Sequence, residues 1–227
     1  MVVVTPSKWL AGLVKQSYLG EYTVEIINNG IDMTTFKKEK GDIKKRLGIE
    51  DKKMILGVAS EWTERKGLHD FVKLEKEIER ICDDYRIVMV GLNESQIASL
   101  PRNIIGLKRT SNVQELVELY SEADFFFNPT YEDNYPTTNL EAAACGSLVI
   151  TYDSGGSPET IVNGKGQVVK KGDIHAVIEI ILKAADDRKN VSVPERLSKK
   201  NMIDRYIELY KSLYGDVSSY ASESFIY

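Results

Sequence analysis

Five short runs of continuously apolar, branch-rich residues constrain this chain more than any other feature: MILGVAS (54–60), RIVMVGL (86–92), NIIGL (103–107), DFFFNP (124–129) and SLVITY (147–152). A strand with one wet face alternates apolar and polar side chains. These runs do not alternate, so they suit strands covered on both faces, as in a parallel sheet. The segments between them have helical spacing. GLHDFVKLEKEIERICDDY aligns Leu68, Phe71, Val72, Leu74, Ile78 and Ile81 along one side, and NVQELVELYSEAD opens on Asn112, which can cap a helix. Alternating strand and helix predict an α/β protein with a Rossmann-like, doubly wound parallel sheet.

Two flanks read differently. TPSKWLAGLVKQSYL is expected to be a helix entered through Thr5 and Pro6, and EYTVEIINNGID a short strand ending in an Asn-Gly turn. Near the other end, SKKNMIDRYIELYKSLY spaces Met202, Ile203, Tyr206, Ile207, Tyr210 and Leu213 as one apolar stripe, which could reach a second domain. The tail GDVSSYASESFIY has turn residues without a sustained period and reads as loosely ordered.

Composition excludes several function classes. Thirty basic against 34 acidic residues, with no block of like charge, argue against a nucleic-acid partner. Cys82 and Cys145 have no metal spacing with His69 and His175, and a reducing compartment fits them. The opening lacks the basic start and apolar core of a signal peptide, and no uncharged run approaches the ~20 residues needed to span a bilayer, so a cytoplasmic location is expected. With 42% hydrophobic residues in 227, a sizeable core is available.

The chemistry concentrates in PTYEDNYPTTNLEAAACGSLVITYDSGG, residues 129 to 156. Pro136 suits a first helical turn and Gly146 a helix end, which predicts a helix over 136–145. The free amides of Tyr135, Thr137 and Thr138, with the positive end of the helix dipole, make an anion site beyond the DFFFN strand, where open parallel sheets bind ligands. Glu141 lies roughly 7.5 Å along the axis from Pro136, and Asp133 precedes the helix. Two carboxylates bracketing an anion site suit a ligand with phosphate in the middle and a sugar at each end. Taken alone, the same residues also fit a solvated helix acid and an N-terminal cap. Gly155 and Gly156 allow close approach to a ligand, and Glu159 is expected to open the next helix.

EDNYPTTNLEAAACGSLVITYDSGGSPE resembles the donor-site signature of the group 1, family 4, retaining glycosyltransferases, whose fold is the two-domain GT-B. TPSKWL and IINNGID resemble that family's interdomain segment, ERKG its phosphate-binding turn, and IDRYIELYKSLY its C-terminal crossover helix. The resemblance implies a C-terminal, donor-binding half: 1–35 as interdomain segment, 36–195 as the nucleotide-sugar-binding domain, 196–214 as crossover helix and 215–227 as tail. It gives Glu141 the ribose hydroxyls and Asp133 the transferred sugar, with Glu132 the alternative acid. Asn134, Tyr135, Thr137 and Thr138 would hold the diphosphate or sugar through their amides, together with Gly155 and Gly156.

Lys66 would neutralise the diphosphate. Where the family carries an arginine five residues earlier, this chain has Glu61, and Arg65 is the neighbouring cation. Lys108, Arg109 or Thr110 would lie near the base.

The implied reaction is transfer from a nucleotide diphosphate sugar to a hydroxyl, with no metal or cofactor, and the chain carries no D-x-D triplet. Implied partners are the nucleotide sugar and an N-terminal acceptor domain or partner subunit, without which the chain is expected to be inactive or nearly so. Peripheral association with the inner face of a membrane, through the full enzyme, fits the polysaccharide or glycolipid settings common in the family. The competing reading is a noncatalytic nucleotide-binding or assembly subunit, with Trp9, Tyr206 and Tyr210 as the uncovered surface. A Rossmann dehydrogenase would need G-x-G-x-x-G after its first strand, which GVASEWTERKG lacks. His69 and His175 read as surface residues, and Cys145, without a paired base, as packing.

Overall fold

Apolar side chains on both faces of a strand must be buried by two layers of helices, and the apolar runs fold accordingly. The computed structural model describes residues 1–161, 166–184 and 193–214. Its main sheet contains β3 (Lys53–Val58), β4 (Tyr85–Val90), β5 (Ile104–Leu107), β6 (Phe125–Asn128), β7 (Leu148–Tyr152) and β8 (Gly166–Val169), all parallel, in the order β5-β4-β3-β6-β7-β8. The first five are the predicted runs, each within two residues. The strand order reverses between β3 and β6, so the sheet opens a crevice at their carboxyl ends.

Strand pleating sorts the two cores. Met54, Leu56, Val88, Val90 and Phe126 face one side, covered by α2 (Ile43–Arg46), α5 (Val113–Glu122) and α6 (Thr137–Cys145). Ile55, Ile87, Met89, Phe125 and Phe127 face the other, covered by α3 (Leu68–Glu79), α4 (Glu94–Ser99) and α7 (Ile174–Lys183). Burying a side chain of this size contributes roughly 1.5–3 kcal/mol, and Met54, Ile55, Leu56, Val88, Phe126 and Phe127 are all fully buried.

A small second sheet pairs β1 (Val2–Thr5) with β2 (Thr23–Ile26) in parallel, connected by α1 (Lys8–Lys15). The helix and β2 follow the sequence expectation, except that the helix opens at Lys8 with Ser7 as its cap: Ser7 Oγ accepts from Leu10 N at 3.1 Å. Strand β1 was not anticipated, because VVVT taken alone is too short to distinguish from any apolar start. Strand β8 was missed as well, because Gly166 and Gln167 dilute its pattern.

Helix α8 (Lys199–Tyr214) matches the predicted stripe. Its start is tied down: Lys199 N donates to Ile31 O at 2.7 Å and Ile31 N to Leu197 O at 3.0 Å. Beyond that anchor, Ile203, Ile207, Tyr210 and Leu213 are exposed, while Tyr206 is half-buried. The tail, 215–227, lies outside the described residues.

Candidate functional site

Three loops meet at the crevice between β3 and β6, and each is held by its own packing. The loop after β3 is anchored by buried Trp62, whose Nε1 donates to Val90 O at 2.8 Å and whose carbonyl accepts from Gln96 Nε2 at 2.8 Å. It ends in a single turn, Glu64–Lys66, and Gly67 with φ 78 turns the chain into α3. A side chain at Gly67 would put Cβ 2.3 Å from Pro129 O, so the turn lies directly against the loop after β6.

Backbone groups stitch those two loops together. Tyr131 N donates to Arg65 O at 2.8 Å, and Arg65 Nη1 donates to Glu132 O at 2.8 Å. The third loop, after β7, closes from the other side: Gly156 N donates to Asp133 O at 2.8 Å, and Ser154 Oγ to Thr130 O at 2.6 Å. Beneath them runs a buried ladder in which Asn128 Nδ2 donates to Asn139 Oδ1 and Asn139 Nδ2 to Thr160 Oγ1, both at 2.8 Å. Sequence reasoning missed this ladder; Asn128 and Asn139 in otherwise apolar strand and helix were its available signal.

On this frame Lys66 and Asp133 come together, Nζ to Oδ2 at 2.6 Å, with both side chains about four-fifths shielded from solvent. Helix α6 starts one turn away. Pro136 stands at its cap position with no side-chain cap, one residue outside the expected start, which leaves the amides of Thr137 and Thr138 without intrahelical acceptors. The Tyr135 amide was also expected to be free, but it donates to Asp133 Oδ1 at 3.2 Å. Tyr135 is itself buried, which pushes its hydroxyl up to about 12.

Glu141, one turn into α6, is half-buried and accepts from Tyr120 Oη at 3.2 Å. Burial raises its carboxyl above the ordinary glutamate value, although bonds from Tyr120 and Thr137 favour the charged form. The arrangement therefore offers one ammonium and two helix amides between two carboxylates, a geometry that receives an anion flanked by hydroxyl groups.

The remaining candidates contribute in other ways. Glu132 and Asn134 are exposed, and Glu132 joins the site through its carbonyl. Arg65 is exposed and braces that carbonyl. Arg109 is exposed in the turn after β5, two strands out from β3 on the same sheet edge, and its neighbour Lys108 pairs with Glu94. The two glycines approach backbone: a Cβ on Gly155 would meet Asp133 O at 2.2 Å, and one on Gly156 would meet Asn134 O at 1.9 Å. They allow the two loops to touch. Cys145 is buried, its thiol pushed up to about 12, which suits packing. Among the described residues no cluster of three or more His, Cys, Asp or Glu could hold a metal ion, and no helix is long and apolar enough to cross a membrane.

Glu159 departs from expectation. It lies in a single turn, Ser157–Thr160, and does not open a long helix. Its carboxylate reaches back to α1, accepting from Lys8 N at 2.8 Å and Trp9 N at 2.9 Å, and Trp9 is half-buried beside it. Two charge-assisted bonds at a helix N-terminus contribute about 1–2 kcal/mol. Glu159→Ala is expected to accelerate hydrogen exchange across 8–15 while leaving the six-stranded sheet protected; uniform exchange would contradict this anchoring.

Residues 39–212 match the family described as "Glycosyl transferases group 1". A Corynebacterium glutamicum "GDP-mannose-dependent monoacylated alpha-(1-6)-phosphatidylinositol monomannoside mannosyltransferase" is 27% identical over 190 residues, 76% of this chain and 50% of that protein. A solved glycosyltransferase from Rickettsia africae ESF-5 superposes with a TM-score of 0.80 at 20% identity, covering 94% of this chain and 64% of that one. Anabaena Alr3699/HepE, solved with UDP-glucose, gives 0.76 at 18% identity, covering 93% and 64%. The chain spans about half the length of the curated relatives it matches. With a family match across most of its length and a doubly wound sheet shared with solved glycosyltransferases, this chain belongs to the group 1 glycosyl transferases.

Proposed function

We propose that this chain is the donor-binding half of a retaining, family 4-type GT-B glycosyltransferase. It would hold a nucleotide diphosphate sugar for transfer to a hydroxyl acceptor in polysaccharide or glycolipid synthesis. The observation that carries the reading is the meeting of Lys66 and Asp133 beside the uncapped start of α6, with Glu141 one turn further in. The C1–O bond to the diphosphate breaks with its electron pair leaving on the phosphate, and the acceptor oxygen bonds to C1 as its proton passes to that departing phosphate oxygen.

Lys66 and the Thr137 and Thr138 amides receive the charge that builds on the departing diphosphate. Glu141 accepts from the ribose hydroxyls, and Asp133, or Glu132 beside it, faces the sugar. Arg65, Asn134, Tyr135, Gly155 and Gly156 shape the pocket, and Arg109 lies towards the base. In this reading the charge is met by Lys66 and the helix amides, without a metal. In this reading 1–35 and 196–214 join an N-terminal acceptor domain or partner subunit, without which transfer is nearly absent. Relatives acting on lipid-linked acceptors make peripheral membrane association part of the proposal.

Calorimetric titration with UDP, GDP and ADP, each with and without magnesium, tests it. Saturable, magnesium-insensitive binding of one of them supports the reading; binding of none refutes it. The Lys66–Asp133 pair sharpens the test. A diphosphate must take Lys66 from Asp133, so Asp133→Asn is expected to strengthen the bare nucleoside diphosphate by roughly fivefold while weakening the nucleotide sugar. Equal losses for both ligands would remove Asp133 from the sugar subsite.

The exposed Ile203, Ile207, Tyr210 and Leu213 of α8 favour one second reading, a noncatalytic assembly subunit. A molecular size that rises with concentration, together with no nucleotide binding, would select it.

A further inference from the structure

Asp70, in the first turn of α3, is fully buried, yet its Oδ2 makes no hydrogen bond of ordinary length among the described residues. Its Oδ1 meets Lys73 Nζ only at 3.4 Å, from a lysine that is 59% exposed. Tyr152 Oη, at the end of β7, is likewise buried without a hydrogen bond of ordinary length, with Asp70 and the Gly172 backbone near enough to act on it. A carboxylate and a phenol in this state forgo their water, which a leucine and a phenylalanine at the same positions would not. The helix start offsets part of the charge, but it does not account for choosing a charge in an apolar core.

The neighbouring rings show what the group touches. Trp62, Phe71, Phe127, Tyr152 and Tyr131 stack edge to face in series, with centroids 5.2 to 5.7 Å apart. Tyr131, the last ring, is followed directly by Glu132 and Asp133, and its amide is bonded to Arg65 O in the Lys66 turn. Burial, and then the Asp70 carboxylate, raise the hydroxyls of both Tyr131 and Tyr152, so the three groups face one another. Asp70 thus joins the element that follows Lys66 to the loop that carries Asp133.

We propose that Asp70 is a positioning residue: buried behind the crevice, it draws the hydroxyls of Tyr131 and Tyr152 toward the first turn of α3 and so fixes Asp133 against Lys66. The role rests on the donor-site reading above. It implies that the chain gives up stability at Asp70 for placement of the two charged groups, and the two quantities can be separated.

The wild-type chain is first titrated with UDP, GDP and ADP, and the one that binds is used with its glucose or mannose conjugate on Asp70→Leu and Tyr131→Phe. Asp70→Leu is expected to keep or raise the thermal midpoint, because a buried charge is removed, while nucleotide-sugar affinity falls about tenfold. Tyr131→Phe, which keeps the ring, is expected to lower affinity in the same direction at an unchanged midpoint. Unchanged affinity in both variants overturns the proposal. So does a joint fall of midpoint and affinity in Asp70→Leu with Tyr131→Phe binding normally, which would mark Asp70 as structural support. If Asp70→Leu does not fold, Tyr131→Phe decides alone. Absence of wild-type binding refutes the donor-site reading before any substitution is made, and the role of Asp70 falls with it.

Discussion

Glu141→Gln is expected to weaken nucleoside diphosphate binding by roughly 100-fold, near 3 kcal/mol, because two hydroxyl-to-carboxylate bonds lose their charge. The same change is expected to make the unliganded chain more stable at neutral pH. Burial raises the folded carboxyl above its unfolded value, so between those two values the folded state binds more protons. Stability therefore declines as pH rises through that window, and the decline persists above it. Glutamine has no proton to lose and removes the decline. Chemical denaturation across pH checks the first half: the stability gain of Glu141→Gln should shrink towards acid pH, and a pH-independent difference would contradict the burial argument. Titration with nucleotide checks the second. Unchanged affinity would take Glu141 out of the ribose subsite. In the wild type, binding should weaken on acidification at a higher pH than an ordinary glutamate would impose.

Gly156→Ala is expected to cost about 3 kcal/mol or more, the range for a forced clash with backbone. The new Cβ would lie 1.9 Å from Asn134 O and 2.9 Å from Ser7 Cβ, so three chain segments would have to separate. The loop displaced is the one carrying Asp133, and nucleotide-sugar binding should be lost along with stability. Gly48→Ala is the control: its φ of 67 is strained for alanine, but nothing lies within 4 Å of the added carbon. Strain alone costs about 1–2 kcal/mol and should leave binding intact. Equal effects of the two substitutions on binding would show that the seam between the loops does not position the site.

The sites of these predictions were unevenly legible in the sequence. Glu141 was placed correctly one turn into a helix because helical rise is regular and Gly146 marks the helix end. Gly156 was noticed, but its partner was not: a pair of glycines after a strand signals close approach without saying to what, and here it is the Asp133–Asn134 backbone. Glu159 was read as the opening of a helix, since local propensity cannot reveal a bond to amides 150 residues away. Asp70 lies beside the apolar stripe of its helix, so periodicity gave no sign of its burial.

The sequence by itself determined the layered α/β architecture, five strands of the main sheet and the helix that opens the site. Those depend on periodicity and on local turn chemistry, which act over a few residues. Only the tertiary structure decided that Lys66 and Asp133, 67 residues apart, meet at 2.6 Å, that Tyr120 supports Glu141, and that Asp70 is buried behind them. The first of these pairings is set by strand order, because a parallel sheet whose order reverses between β3 and β6 brings together the loops that follow those two strands.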